Sequence, residues 1–170
     1  PYDFTRKRLS VLAALDDQTV LVTKGALSQV LEICSTVELA DGRVAPLAQH
    51  MDSIRERHAA FSARGLRTLG IASKPLPGRT AIGKDDESGL TFTGFLVFAD
   101  PPKAGIAATL RDLQHLGIRL KVITGDNPLV AREVARQIGM GDVRIVSGKE
   151  LRQVGDDALP QLASKTDVFA

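Results

Sequence analysis

Residues 122–130 read VITGDNPLV. A short apolar run stops at Thr124-Gly125-Asp126-Asn127-Pro128, and a new apolar pattern begins behind it. Asn127 suits an N-cap, because its side-chain oxygen can accept from the free amides of a first helical turn. Pro128 suits the first helical position, where no amide hydrogen is needed. The stretch thus hands a buried strand over to a helix, and the sequence around it repeats that grammar. "LTFTGFLVFAD" (90–100) predicts an apolar strand. A helix over 104–117 carries Ile106, Leu110 and Leu113 inward and stops at Gly117. "IRLKVITGD" is a strand, and 128–139 a helix with Val130, Val134 and Ile138 on one face. "VRIVSG" (143–148) is a strand, a helical segment broken near Gly155 covers 149–164, and "TDVFA" opens a further strand. Strands alternating with helices predict right-handed βαβ units and a parallel sheet. The unbroken apolar runs "FLVFA" and "KVI" read as strands buried on both faces.

Upstream the pattern is mixed. "RLSVLAAL" (8–15) and "TVLVTKG" (19–25), joined through Asp16-Asp17-Gln18, predict an antiparallel hairpin. A helix follows with Leu27, Val30, Leu31 and Cys34 on one face. "VELADGRVAPL" (37–47) holds Asp41-Gly42 between short alternating runs, the signal of a two-residue hairpin. A longer helix over 47–64 carries Met51, Ile54, His58 and Phe61 at helical spacing and stops near Gly65, and "LRTLGIAS" (66–73) is a strand. "KPLPGRTAIGKDDESG" (74–89) reads as a loop. The expected fold is α/β overall: an α+β part with an antiparallel sheet over 1–94, then a shorter doubly wound part over 95–170 whose last strand is cut at Ala170. That short second part looks truncated.

The 170 residues are 44% hydrophobic and 25% charged with a net charge of +2, ordinary for a globular protein and no electrostatic argument for nucleic acid or membrane. The lone Cys34 cannot make an internal disulfide and reads as a small buried apolar residue, in keeping with a reducing compartment. No apolar run approaches the ~20 residues that span a bilayer. No signal-peptide pattern opens the chain, and a first residue of Pro1 rather than Met points to a fragment or processed product.

Several short motifs admit two readings. In an open α/β sheet ligands bind beyond the carboxyl ends of the strands. Thr124 falls at such an end, so its hydroxyl and the Gly125 amide could donate to a phosphate beside a helix N-terminus. Equally, Thr-Gly-Asp could be a plain turn before a capped helix. Asp100-Pro101-Pro102-Lys103 is either a rigid connector or a hinge that brings Asp100 and Lys103 to the phosphate end of the sheet. Lys24, in Lys24-Gly25-Ala26, sits where a strand passes to a helix and could reach a docked ligand, or be solvated. The basic run Arg6-Lys7-Arg8 and Arg67 read by default as solvated. His58, on an apolar helix face, reads as packed. No Walker loop, no G-x-G-x-x-G, no Cys/His cluster with metal-ligand spacing and no serine nucleophile elbow is present.

Taken in order, "PYDFTRKRLSV", "VTKGAL", "GLRTLGIA", "VFADPPK" and "VITGDN" are specific: over nearly the whole chain they resemble the cytosolic region of P-type ATPases. "DFTRKRLSV", "LEICS" and "DPPK" followed by "ITGD" look most like the bacterial magnesium-transporting branch. The resemblance implies that 1–94 is the later part of the nucleotide-binding (N) domain. Tyr2 would stand where the family usually has an adenine-stacking phenylalanine. Lys7 would be the basic residue near the nucleotide, Lys24 with Gly25 the motif lining the ATP pocket, and Arg67 the arginine reaching the ATP phosphates. It implies that 95–170 is part of the phosphorylation (P) domain, of haloacid-dehalogenase-like Rossmann fold. There Asp100 would mark the return from N to P domain, and Thr124, Gly125 and Asp126 the phosphate-holding motif.

The family's nucleophile lies in an Asp-Lys-Thr-Gly-Thr sequence and its magnesium-binding aspartate in a Gly-Asp-Gly-x-Asn-Asp loop; neither sequence occurs here. The expectation is a piece that binds ATP weakly without turnover. Its parent would be a bacterial inner-membrane pump using ATP and Mg2+, with actuator and transmembrane domains elsewhere in the polypeptide, while this part stays on the cytoplasmic side, outside the membrane and free of nucleic acid. The transported ion, Mg2+ or Ca2+, is chosen within the membrane and is not written in these residues. Two other readings stand beside it: a haloacid-dehalogenase-type phosphatase with a cap domain, and a nucleotide-sensing module without activity.

Overall fold

The structure, a computed structural model, describes residues 5–15 and 18–170. It contains a six-stranded sheet and a separate three-stranded sheet, and the chain divides into two compact units. The first comprises the described residues up to His58, with Thr68–Val97; the second comprises Ala59–Arg67 and Phe98–Ala170.

In the first unit β1 (Arg8–Leu15) and β2 (Gln18–Gly25) form an antiparallel hairpin in full register, from Arg8 opposite Gly25 to Leu15 opposite Gln18. β5 (Arg67–Pro75) runs antiparallel to β2. With β3 (Cys34–Glu38), β4 (Val44–Pro46) and β6 (Leu90–Phe98) the strand order is β1-β2-β5-β6-β3-β4. Successive side chains of a strand point to opposite faces. On β2 this buries Leu21, Thr23 and Gly25 while Lys24 is exposed. The core unites Leu21, Ala72, Leu90 and Phe92 from the sheet with Val30 and Leu31 of α1 (Leu27–Leu31) and Ile54 of α2 (Met51–Ala63). Leu21, Val30 and Leu90 are wholly buried, each worth about 2 kcal/mol in transfer free energy.

The second unit is smaller. β7 (Val122–Ile123), β9 (Val168–Phe169) and β8 (Ile145–Val146) pair in parallel in that order. α4 (Pro128–Gln137) lays Ala131 and Ala135 against Val143 and Val168. Short side chains let the helix lie close to the strands. α3 (Ile106–His115), α5 (Gly148–Leu151) and α6 (Leu159–Lys165) complete the unit.

Four expectations are corrected. Cys34 begins β3 rather than ending a helix, because α1 stops at Leu31 and the β-branched run behind Cys34 pairs with β4 and β6. The thiol donates to the Val30 carbonyl at 3.1 Å, is only half-buried, and is pushed up to about 11 by burial. The β3–β4 turn has a three-residue loop, not two. The Gly42 amide bonds to Leu39, Gly42 takes φ +79°, and Leu39 bonds back to Arg43. This is a turn closed by a left-handed residue. The "FLVFA" run is not buried on both faces: Leu96, Val97 and Phe98 are exposed, since pairing with β3 ends at Val37 opposite Phe92. Nor is "KVI": Ile123 is 84% exposed, on a strand whose only partner among the described residues is β9. On α3 only Leu110 is buried, and Ile106 is exposed.

Candidate functional site

The candidate residues fall into two groups, one in each unit. Tyr2 lies outside the described residues.

In the first unit Lys7, Lys24 and Gly25 meet where β1 begins and β2 ends. Gly25 pairs with Arg8, and the Ala26 amide donates to the Lys7 carbonyl at 3.0 Å. A Cβ on Gly25 would lie 2.5 Å from that carbonyl oxygen and 2.7 Å from the Arg8 Cα, so only glycine permits the approach. Lys7 takes φ +49°, the one non-glycine residue with positive φ among those described. Both lysines are exposed.

The flanking arginines are not simply solvated, as their residue type implied. Residues 6, 8 and 10 alternate along the chain, and Arg6, Arg8 and Ser10 all reach the carboxylate of Glu87. Arg6 Nη1 and Arg8 Nε donate to Glu87 Oε2, the latter at 2.9 Å, and Ser10 Oγ donates to Oε1 at 2.8 Å. Ser10 also shares a hydrogen bond with the buried Thr23 at 2.8 Å. The Glu87 side chain is 6% exposed. Burial pushes its pKa up, but the bonds from Arg8, Ser10 and Arg6 outweigh that and hold it below the ordinary 4.5. Glu87 lay in a segment read as plain loop. The available signal was the Arg8-x-Ser10 alternation, which puts two donors on one face of β1; Arg6 precedes the strand, and nothing in the pattern marked it as a third.

In the second unit Arg67, Asp100, Thr124 and Asp126 form one cluster. Arg67 Nε and Nη2 donate to the two oxygens of Asp126 at 2.6 and 2.9 Å, and Nη1 donates to Asp100 Oδ2. The fork matches the carboxylate in a bidentate pair. Thr124 Oγ1 donates to Asp126 Oδ2 at 2.9 Å and accepts from the Asp126 amide at 3.1 Å. The Thr124 amide is held by the Phe169 carbonyl at 2.9 Å, which fixes the end of β7. Gly125 is exposed, with nothing within 4 Å of a would-be Cβ. Asn127 caps α4, accepting from Leu129 and Val130 at 3.0 and 3.1 Å, and its side-chain amide donates to the buried Ser62 Oγ at 3.0 Å. Nothing in the sequence pattern marked Ser62.

The electrostatics restrict what this cluster can do. The Arg67 bonds, with a smaller contribution from Thr124, hold Asp126 below the ordinary 3.8 against the effect of burial. Arg67 is in turn held more firmly protonated by Asp126 and Asp100. An ionised, doubly bound carboxylate is a poor general acid and a weak base at neutral pH. Asp126 therefore reads as an orienting group for Arg67 and Thr124. Lys103, the other charge of the proline connector, is exposed, and its carbonyl accepts from Ile106. Among the described residues no group of three or more His, Cys, Asp or Glu side chains is arranged to hold a metal ion.

The fold is mixed α/β with an antiparallel-dominated sheet in the first unit. The family model for the P-type ATPase cytoplasmic domain N matches residues 1–105, and the chain belongs to that family. It is 37% identical over 173 residues to a magnesium-transporting P-type 1 ATPase of Salmonella typhimurium, and 38% identical to that of Escherichia coli K12. It is 29% identical over 174 residues to a calcium-transporting ATPase of Listeria monocytogenes. In the two magnesium-transporter comparisons the whole of this chain is covered, but it spans only 19% of the relative's length.

Proposed function

We propose that this chain is the ATP-binding portion of a cation-transporting P-type ATPase, with residues 1–94 belonging to its N domain and 95–170 to a haloacid-dehalogenase-like P domain. The single observation that carries the site assignment is the convergence of Asp100 and Asp126 on Arg67. Three motifs far apart in sequence, "LRT", "DPPK" and "TGD", meet at one guanidinium. That is the group with which a triphosphate would exchange partners, because phosphate and carboxylate oxygens suit the same planar fork.

In this reading Lys7, Lys24 and Arg67 offset the phosphate charge, Gly25 shapes the lysine-bearing corner, and Tyr2 stacks on the adenine. Thr124 and the Gly125 amide hold the transferred phosphoryl group once the Thr124 hydroxyl turns from Asp126 toward it. The complete protein would form an aspartyl phosphate on its Asp-Lys-Thr-Gly-Thr nucleophile and couple the phosphorylated and free states to cation movement across the bacterial inner membrane. This chain would bind nucleotide without turning it over. Actuator and transmembrane domains belong to the rest of the polypeptide; no helix among the described residues is long and apolar enough to cross a membrane. As a cofactor, magnesium would enter as the nucleotide's companion in the complete protein. As cargo, magnesium is favoured over calcium by the higher identity to the magnesium transporters, 37% against 29%.

The test is titration of ATP into the chain by calorimetry, beside Lys24→Ala and Arg67→Ala. Saturable binding at millimolar nucleotide or below, weakened by both substitutions, is the expected result. Absence of saturable binding, or two variants that bind like wild type, would overturn the pocket assignment.

A further inference from the structure

We propose that Glu87 is a positioning residue for nucleotide binding: its buried carboxylate, gripped by the arginines on either side of Lys7, pins the Lys7 backbone in the left-handed region and so aims the Lys7 side chain. The proposal rests on the reading of Lys7 as a nucleotide contact and goes beyond it by naming the group that sets its geometry.

Four observations meet at this point. Lys7 has φ +49°, a conformation that residues with a Cβ leave readily unless the surroundings impose it. Such outliers concentrate where geometry is part of function. Its neighbours Arg6 and Arg8 both donate to one oxygen of Glu87, Oε2, while Ser10 occupies the other. The Lys7 carbonyl is fastened to the Ala26 amide, two residues beyond Lys24, across the bare Gly25. Arg8 is tied a second time, through Nη1 to the Gln29 carbonyl at 3.3 Å.

The charges sort in a way that suits an anion. Side chains at 6 and 8 share a carboxylate, which draws Arg6 Nη1 and Arg8 Nε toward Glu87. Lys7, between them, is exposed. Glu87 itself comes from the segment after the short helical turn Lys84–Asp86, and Lys74 Nζ secures that segment by donating to the Ser88 carbonyl at 2.7 Å. The polar lining of this corner is thus supplied by β1, β2 and the segment around Glu87. If Glu87 loses its charge, Arg6 and Arg8 lose their common anchor, and nothing in the sequence of a lysine keeps φ positive.

The test combines a conformational readout with a binding one on the 170-residue chain. Glu87→Gln keeps the shape and removes the charge; Arg8→Lys keeps the charge and removes the Nε bond, and serves if the first variant does not fold. In NMR amide exchange, the Ala26 amide should lose about tenfold in protection in either variant, while Val22, deeper in the same hairpin, is unchanged. In calorimetry ATP should bind about tenfold more weakly to Glu87→Gln, a loss of 1.4 kcal/mol, with adenosine binding unaltered. In a Lys7→Ala background, Glu87→Gln should have no further effect on ATP.

Additive losses, equal losses for ATP and adenosine, or an Ala26 amide as protected as in wild type would each overturn the proposal. If Lys7→Ala weakens ATP binding and Glu87→Gln does not, the positioning role falls and the pocket assignment stands. If Lys7→Ala leaves ATP binding unchanged, both fall.

Discussion

The two arginine–carboxylate clusters are inversions of one another. At Glu87 one carboxylate is held by two guanidiniums; at Arg67 one guanidinium is held by two carboxylates. The first is closed around its central group, with side-chain exposures of 6% for Glu87, 14% for Arg8 and 26% for Arg6, and the second is open at its central group, with 45% for Arg67, 64% for Asp100 and 19% for Asp126. Charges withdrawn from water must be fully bonded or they destabilise, whereas charges in water can be exchanged at little expense. The closed cluster is therefore suited to hold a backbone still, and the open one to release its arginine to an incoming phosphate. In the proposed reading, similar chemistry would serve as framework in one unit and as exchangeable contact in the other.

The largest effect that would break this contrast is at Glu87. Replacing it with alanine strands two partly buried guanidiniums beside the half-buried Ser10, and the loss of unfolding free energy should be about 3 kcal/mol by denaturant titration. A loss below about 0.5 kcal/mol, the value of an ordinary surface pair, would erase the distinction between the clusters. Next in size is Asn127→Ala, which removes the cap of α4 and the bond to Ser62. It should cost about 1 kcal/mol, with exchange of the Leu129 and Val130 amides rising first. Smaller still is Arg67→Ala. The open cluster should contribute only about 0.5 kcal/mol to stability, so the variant proposed to weaken ATP binding should melt within a few degrees of wild type.

Acid sharpens the comparison further. Glu87 and Asp126 both have folded pKa values below the ordinary 4.5 and 3.8. The stability each contributes is complete above its ordinary value and is lost as pH falls through the lower, folded one. Unfolding free energy measured from pH 6 down to pH 2 should therefore decline. Glu87→Gln should flatten that decline more than Asp126→Asn does, and the reverse ranking would assign the framework role to the wrong cluster.

The sequence made some of this legible and hid the rest for identifiable reasons. The β1–β2 hairpin, the Asn127-Pro128 helix start and the parallel pairing around Val122 all rest on local chemistry, on alternation, capping and an apolar strand, and they are where the pattern put them. Arg67, Asp100, Thr124 and Asp126 came from separate motifs, and no spacing rule foretold that the first would bind the second and fourth at once. Glu87 was hidden because a charged residue after Lys-Asp-Asp, in a stretch rich in proline and glycine, has the composition of a solvated loop. Its burial depends on a strand more than seventy residues upstream. The apolar runs "FLVFA" and "KVI" misled in the opposite direction: local hydrophobicity tells which strands can be covered, not how far their neighbours extend.

The close approach at Gly25 separates two kinds of information that usually share a residue. What is presented at position 7 is decided by the side chain there, while where it is presented is decided by a missing methyl group eighteen residues later and a carboxylate eighty residues later. A designer could exchange the lysine for arginine or asparagine and change the group presented at the corner without redrawing its backbone. Adding a single carbon at Gly25 would redraw the corner for every side chain placed in it.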